Sequence, residues 1–294
     1  MINKKIFSIF HNGSKTYFYS SLFFPSSMKK DVFSLYAFVR KADNYVDAIP
    51  QDINGFYRFK DTYHTALQGK KSGNVVIDSF VDLAKRKRFD PLWTDAFFDS
   101  MQSDITTSRY DTIDSVINYM YGSAEVIGLY MAKIMDLPSS ALHHARYLGR
   151  AMQYVNFIRD IAEDLTLNRI YMPAEEMKRY GISCLDFEYV KNIPSQFSDF
   201  IRKQLQYYTQ WLDIAEKGFR YIPKRYLIPI KTATDMYTWT AEQIYKNPFI
   251  VFQRQIKPHF TNIVSSIIQN LIDPRMQKER SYESHFHPNP IIDQ

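Results

Sequence analysis

The stretch NFIRDIAED, residues 156–164, sets two aspartates four residues apart in a segment with helical apolar spacing. Residues at that spacing share one face of an α-helix, where two like charges repel each other and weaken the helix. Polar residues extend the line of the acids, which comprises Gln153, Asn156, Asp160 and Asp164. An adjacent apolar line marks a buried face and comprises Tyr154, Ile158, Ile161 and Leu165. The segment is therefore predicted to be a helix with oxygen ligands along the border of its buried face.

The segment KADNYVD, residues 41–47, repeats this arrangement near the start of the chain. Its aspartates, Asp43 and Asp47, follow Arg40 on one helical line beside an apolar line. In a chain with 31 acidic residues either pair alone is a weak signal, because such pairs arise by chance and most are solvated. Two pairs in apolar surroundings, each with an arginine beside it, predict cation binding. Oxygen ligands without clustered cysteine or histidine favour Mg²⁺ or Mn²⁺, and magnesium usually binds together with substrate phosphates.

The composition favours an all-α protein. The 294 residues include only 9 glycines, 45% are hydrophobic, and Pro-Gly turn clusters are nearly absent. Apolar spacing predicts helices near residues 29–48, 52–68, 75–87, 90–103, 111–135, 139–167, 173–180, 195–219, 225–245 and 258–272. No linker divides the chain, so we expect a single-domain helical bundle over residues 1–272 and a polar tail over residues 273–294.

Charge and cysteine content exclude several protein classes. The formal net charge is +6, but the basic residues are scattered and form no nucleic-acid motif, so we expect no nucleic-acid partner. The single cysteine, Cys184, excludes an intramolecular disulfide framework and is typical of a reducing compartment, here the cytoplasm. No charge-free stretch reaches the ~20 residues of a transmembrane helix. Residues 259–271 carry no charge and suit either packing against the bundle, the simpler explanation, or a peripheral membrane contact.

The central block GRAMQYVNFIRDIAEDLTLNRIYMPAEEMKRYGI, residues 149–182, resembles the second aspartate motif and the following R-x-Y-x-P segment of the squalene and phytoene synthases. The resemblance spans nearly the whole chain, through GSKTYFYSSLFFP, SLYAFVRKADNYVD, YMYGSAEVIGLYM and MYTWTAEQIYKNPFIVFQRQIK. These enzymes join two prenyl diphosphates head to head. The resemblance implies one bundle of α-helices around a deep apolar cavity, with the two acidic helices facing each other across its mouth.

The resemblance also implies roles for individual residues. The metal would be held by Asp43, Asp47, Asn156, Asp160 and Asp164. The diphosphate would be bound by Ser14, Lys15, Arg40, Gln153, Asn156, Arg159 and Arg254. Tyrosines that line the reaction chamber and assist catalysis would be Tyr119, Tyr121 and Tyr237. Arg159 is equally suited to an i,i+4 ion pair with Glu163, and Asn44 departs from the second acid that many members carry.

The expected reaction is an Mg²⁺-dependent condensation through a cyclopropylcarbinyl diphosphate. The segment YMYGSAEVIG, residues 119–128, resembles phytoene synthases more than squalene synthases, so we expect phytoene from two molecules of geranylgeranyl diphosphate. The alternative is dehydrosqualene or squalene from farnesyl diphosphate, and only squalene formation would use NADPH. A terpene cyclase or prenyl diphosphate hydrolase would act on one substrate. A non-catalytic scaffold relative is a rival from a different class, which the four intact aspartates disfavour.

Overall fold

The computed structural model describes residues 2–253 and 256–273, apart from the side chains of residues 15, 16 and 260. Within these residues the chain is helical, and the one β-type contact is an isolated parallel bridge between Arg109 and Ile170. The all-α prediction is confirmed. The predicted tail lies outside the described residues from residue 274 onward.

The helices follow one another with short connections. They are α1 (Lys4–Gly13), α2 (Lys15–Ser21), α3 (Ser26–Val46), α4 (Ile53–Leu67), α5 (Val75–Lys87), α6 (Pro91–Thr106), α7 (Ile113–Met120), α8 (Val126–Ile134), α9 (Leu142–Arg159), α10 (Ile161–Thr166), α11 (Ala174–Arg179), α12 (Phe187–Val190), α13 (Pro194–Glu216), α14 (Lys224–Lys246), α15 (Ile250–Gln253) and α16 (Phe260–Ile272). A π-helical turn, Tyr121–Glu125, joins α7 to α8, and 3₁₀ turns span Ser139–Ala141 and Lys217–Tyr221.

Most predicted helices are present near their predicted bounds, but two are interrupted. The predicted helix 111–135 is α7, the π-helical turn and α8, and the predicted helix 139–167 is a 3₁₀ turn, α9 and α10. The break between α9 and α10 falls at Asp160, whose φ of −99° and ψ of 14° are not helical. Four helices were not predicted, namely α1, α2, α12 and α15.

Two large apolar clusters form most of the core, and α9 borders both, while a third, small cluster joins α14 to α16. The first cluster joins α1 to α6 with α8 and contains stacked rings such as Phe38 on Phe80, with centroids 3.8 Å apart. The second joins α7, α9, α13 and α14. Gly149 of α9 lets the π-helical turn approach closely, because a Cβ there would lie 2.3 Å from the carbonyl oxygen of Ala124. This close approach places α9 along the wall between the two clusters.

The C-terminal end of α3 is tied to the segment after α10. Arg169 donates from Nη2 to the carbonyl oxygen of Val46 at 2.6 Å and from Nη1 to Asp47 Oδ1 at 2.8 Å. A buried arginine at a helix C-terminus satisfies its free carbonyl and complements its dipole. The contact fixes the two acidic segments relative to each other. Among the described helices none is both long and apolar enough to cross a membrane.

Candidate active site

A cavity of about 1010 Å³, here called the mouth, opens between the C-terminal ends of α3 and α9. Its wall includes all four predicted aspartates, with Asp43 and Asp47 on the α3 side and Asp160 and Asp164 at the start of α10. The four acids come from segments more than one hundred residues apart in the chain. The fold therefore brings the two acidic segments to one cavity, the arrangement that the family resemblance implied.

Arginines engage three of the four aspartates. The bonds join Arg40 Nη1 to Asp43 Oδ2 at 2.6 Å, Arg169 Nη1 to Asp47 Oδ1 at 2.8 Å, and Arg159 Nε and Nη2 to the two carboxylate oxygens of Asp160 at 2.7 and 2.5 Å. Asp164 forms no ion pair within the described residues. Its charge is thus the one that a bound cation would relieve most.

Arg159 does not form the i,i+4 ion pair with Glu163 that the sequence allowed. It binds Asp160 through two parallel N–H groups and forms no ion pair with Glu163. The physical reason is the break at Asp160, because residues 159 and 163 no longer lie one turn apart on a continuous helix. Glu163 nevertheless lines the mouth.

Two aspartates of the mouth have strongly raised pKa values. Burial, then the nearby charge of Asp47, raises the pKa of Asp43 to about 7 against the opposing effect of Arg40. Burial, then the charge of Asp160, raises the pKa of Asp164 to about 8. These carboxylates are crowded in a poorly solvated site. A cation bound between these carboxylates would favour their charged forms and lower both pKa values.

The donor set fits Mg²⁺. Asn156 lines the mouth one turn before Asp160. Its Oδ1 is buried without a hydrogen-bond partner in the described structure, so we expect a cation or a hydrogen-bond donor to bind there. No group of three or more His, Cys, Asp or Glu side chains in the described residues is arranged to hold an ion alone. Magnesium usually takes one or two carboxylates and completes its shell with water and substrate phosphates. Acid pairs on opposite walls suit ions that arrive with a phosphate ligand.

Most predicted diphosphate-binding residues lie at the mouth. Ser14 lines it and also caps α2, where its Oγ accepts from the Tyr17 N–H at 3.3 Å. The other predicted members that line the mouth are Arg40, Gln153, Asn156 and Arg159. The side chain of Lys15 and all of Arg254 lie outside the described residues. Lys257 also lines the mouth and was not predicted.

A second cavity of about 290 Å³, here called the chamber, extends from the mouth into the bundle. Its wall is mostly apolar and includes Val32, Leu35, Ile127, Met131 and Phe219. Residues that line both cavities form the junction between them, namely Tyr17, Tyr36, Val39, Ser123, Gln153 and Asn156. An acidic, metal-competent mouth that leads into an apolar chamber fits a ligand with a phosphorylated head and a hydrocarbon tail.

Two of the three predicted tyrosines line the mouth. Tyr119 donates from its hydroxyl to Asp104 Oδ2 at 2.8 Å, and Tyr237 donates to the Tyr17 hydroxyl at 2.7 Å. Tyr121 lines neither cavity, and its ring lies 5.2 Å from the guanidinium carbon of Arg146. The expectation was that the three tyrosines line the chamber; none of them does, and Tyr121 does not line the mouth either, because residues two apart on a helix point to different sides.

Sequence reasoning missed a buried carboxylate next to the site. Asp104, in α6, accepts hydrogen bonds from Tyr119 at 2.8 Å and from Tyr171 at 2.6 Å. Burial raises its pKa to about 6 against the opposing effect of Arg169. Asp104 has no periodic acidic partner in the sequence. The one feature of the sequence that could have identified Asp104 is an acidic residue within an otherwise apolar helical pattern.

The sequence matches a known family over most of its length. A model described as squalene/phytoene synthase matches residues 10–262. A 15-cis-phytoene synthase of Synechococcus elongatus is 25% identical over 258 residues, which cover 82% of this chain and 83% of that protein. A 15-cis-phytoene synthase of Pantoea ananas is 25% identical over 294 residues, which cover 95% of each protein.

Solved structures of similar fold are also known. A dehydrosqualene synthase in complex with ligand has a TM-score of 0.77 at 18% identity, over 90% of this chain and 93% of that chain. A squalene synthase from Alicyclobacillus acidocaldarius has a TM-score of 0.73 at 17% identity, over 83% of this chain and 93% of that chain. At these identities the likeness establishes the fold alone.

Proposed function

The chain belongs to the squalene/phytoene synthase family, and we propose that it condenses two molecules of geranylgeranyl diphosphate head to head into phytoene, with release of diphosphate. The observation that carries the proposal is the mouth with its four aspartates, which opens into the apolar chamber. The first coupling releases one diphosphate and one proton and gives a cyclopropylcarbinyl diphosphate. This intermediate loses the second diphosphate, rearranges and loses a proton to give phytoene.

In this proposal the mouth binds the diphosphate heads. Arg40, Arg159 and Lys257 lie on its wall and supply N–H donors for phosphate oxygens. The ligands of Mg²⁺ are drawn from Asp43, Asp47, Asn156, Asp160 and Asp164. When bound there, Mg²⁺ acts as a Lewis acid that neutralises charge on the leaving diphosphate.

The chamber protects the reactive hydrocarbon. Heterolysis of the allylic C–O bond leaves a carbocation on the prenyl chain, which water would quench, so an apolar wall that excludes water favours coupling to the second substrate. At the mouth Tyr119 and Tyr237 present aromatic rings, and a cation over such a ring is stabilised by about 0.5–2 kcal/mol. The hydrogen bonds to Asp104 and Tyr17 hold these two rings in place.

The choice of the C20 substrate is supported by similarity alone. The segment YMYGSAEVIG resembles phytoene synthases, and the curated relatives described above carry that name at 25% identity. The alternative product is dehydrosqualene, or squalene if NADPH delivers hydride. The similar solved structures include a dehydrosqualene synthase and a squalene synthase, and their likeness is one of fold.

The deciding experiment is product analysis. Purified protein is incubated with Mg²⁺ and either the C20 or the C15 prenyl diphosphate, with and without NADPH, and the apolar extract is analysed by mass spectrometry. We expect a C40 hydrocarbon from the C20 substrate alone. A C30 hydrocarbon from the C15 substrate would move the assignment to dehydrosqualene or, if NADPH is needed, squalene. A prenyl alcohol or no hydrocarbon from folded protein would support the hydrolase or scaffold rival.

A further inference from the structure

Helix α16 has one face attached to the bundle and another exposed. The attached face buries Ile263 and Ile267, and its Ser266 donates a hydrogen bond to Asp235 of α14 at 2.6 Å. The opposite face exposes a line of large aliphatic side chains, with Ile268 53%, Leu271 51% and Ile272 76% exposed. Three large aliphatic residues at i, i+3 and i+4 on one open helix face form an apolar surface without a partner in the described structure.

The C-terminal ends of α2 and α16 lie at the same end of α14. Helix α16 runs antiparallel to α14, because Ser266 contacts Asp235 and Asn270 contacts Thr232. Helix α2 runs the same way as α16. Its start contacts α14 through the Tyr17–Tyr237 hydrogen bond, and its last residues line the chamber together with the earlier α14 residues Pro229, Ile230 and Ala233.

Two more exposed apolar residues therefore belong to this end of the molecule. Leu22 and Phe23 directly follow α2 and are 40% and 42% exposed. Helix α2 packs against α16, where Tyr19 contacts the cluster formed by Ile263 and Ile267. The apolar surface thus comprises the outer face of α16 and the end of α2.

This surface is bordered by basic residues. Exposed Lys224 and Arg225 begin α14, and Lys30, also exposed, lies in the first turns of α3 just after Phe23. No acidic residue occurs in residues 217–234 or 22–30, although exposed Asp273 follows Ile272 directly. Apolar side chains bordered by lysine and arginine are the pattern that binds an interface of anionic lipid.

We propose that the surface formed by Leu22, Phe23, Ile268, Leu271 and Ile272 docks on an anionic lipid membrane. The chamber lies directly behind it, because Ser20, Ser21 and Phe24, next to Leu22 and Phe23 in sequence, line the chamber wall. Docking would thus place the apolar chamber beside the hydrocarbon core of the membrane. The proposal concerns the surface and holds whether the substrate is C15 or C20.

Two other occupants fit less well. The remaining chain, residues 274–294, has its apolar residues scattered among charged, polar and proline residues, so it offers no continuous apolar face to cover this surface; they are Met276, Tyr282, Phe286, Ile291 and Ile292. A second copy of the chain would bring the same basic border against itself. Lipid headgroups of opposite charge complement that border instead.

The test is vesicle flotation of the full chain. We expect at least tenfold tighter binding to phosphatidylcholine vesicles with about 30% phosphatidylglycerol than to phosphatidylcholine alone. The triple variant Ile268→Ser, Leu271→Ser, Ile272→Ser should bind the anionic vesicles at least tenfold more weakly. The matched control is Leu92→Ser at the start of α6, because Leu92 is 68% exposed and α6 packs mainly on the π-helical turn, α3, α8 and α7; the binding of this variant should be unchanged.

Three results would overturn the proposal. They are equal flotation of the triple variant and the parent, absence of flotation of the parent, or a dimer in solution that the triple variant dissociates, which would assign the face to a second copy. Condensation activity is measured separately with detergent-dispersed substrate, where the triple variant should match the parent. A parent that floats but makes no hydrocarbon would reject the proposed function and leave the docking surface standing.

Discussion

At the scale of single residues, the four aspartates differ in how far the protein itself balances their charge. Asp43, Asp47 and Asp160 each accept a hydrogen bond from an arginine, whereas Asp164 forms no ion pair in the described structure. Burial and the charge of Asp160 raise the pKa of Asp164 to about 8. Asp164 is therefore unfavourable for the metal-free fold and is retained, on our proposal, because it binds the cation.

The change Asp164→Asn separates the effect of Asp164 on the stability of the metal-free fold from its proposed role in binding the cation. The raised pKa means that the metal-free folded protein holds a proton that the unfolded chain has released, so stability falls as pH rises from ~4 to ~8. The asparagine amide does not titrate, so the variant does not lose this stability as the pH rises. We expect an unchanged or higher Tm at about pH 8 and condensation reduced at least ~100-fold.

Asp61→Asn is the matched control, since Asp61 is exposed on α4 away from the mouth. It should change neither Tm nor turnover. A Tm of the Asp164→Asn variant several degrees below that of the parent would show that the carboxylate supports the fold. Full turnover by the variant would reject its role in metal binding.

Tyr119 combines a ring that faces the mouth with a hydroxyl that holds Asp104. Tyr119→Phe keeps the ring and removes the 2.8 Å hydrogen bond, which should cost about 1–3 kcal/mol of stability and leave turnover within ~10-fold. Tyr119→Ala also removes the ring and should lower turnover by more than ~100-fold. Thermal unfolding and single-substrate kinetics measure both effects.

Tyr121 provides the comparison, because it lies two residues away and lines neither cavity. Tyr121→Ala should lose the contact with Arg146 and some stability yet keep turnover. Equal losses of turnover in Tyr119→Ala and Tyr121→Ala would indicate a shared structural role and contradict the assignment of the Tyr119 ring to the mouth.

At the scale of elements, helices with both apolar spacing and capping signals were predicted well. The predicted helix 75–87 coincides with α5, where Asn74 caps the start by accepting from the Val76 N–H and Arg88 ends the helix at φ 52°. Helices α1 and α2 were missed, although Asn3 and Ser14 cap them. Each has ten residues or fewer, too few for apolar spacing to distinguish a helix from other structure.

The two interruptions of predicted helices lie beside the site. The bend at Asp160 and the π-helical turn Tyr121–Glu125 both fall inside segments that apolar spacing predicted as continuous helices. π-Helical turns occur often at functional sites. Here the turn carries Ser123 to the junction of mouth and chamber.

Gly122 is the residue that allows this turn to pack on α6. A Cβ at Gly122 would lie 2.0 Å from the carbonyl oxygen of Ala96 and 2.2 Å from Ser100 Oγ, and the backbone of Ala96 has little room to move away. We expect Gly122→Ala to lower stability by ~2 kcal/mol or more. Denaturant unfolding measures the change.

Ser123→Ala in the same turn is the control. The Ser123 Oγ is buried without a hydrogen-bond partner in the described structure, so its removal should be neutral or slightly stabilising. Similar destabilisation by the two alanines would show that the turn tolerates no substitution, and would refute the specific role of the glycine.

At the scale of the whole molecule, the pairings across the mouth could not be read from the sequence. The acid-to-acid spacing within each helix predicted which residues line one face. The bond from Arg169 to Asp47 joins residues 122 positions apart, and only tertiary packing selects it among 37 basic and 31 acidic residues. The resemblance to the family predicted that the two helices face each other, and apolar periodicity alone did not.

The same assembly makes stability depend jointly on metal and pH. Burial together with neighbouring carboxylates raises the pKa of Asp43 to about 7 and of Asp164 to about 8, so near pH 6 both hold protons that Mg²⁺ must displace. The Tm increase caused by Mg²⁺ with inorganic diphosphate should therefore be small near pH 6 and grow up to about pH 8.5, where both acids are ionised. Scanning fluorimetry with and without EDTA measures it. Asp164→Asn should flatten the pH dependence by removing one of the two protons. A Tm increase that is equal at all these pH values would contradict the placement of the metal at these aspartates.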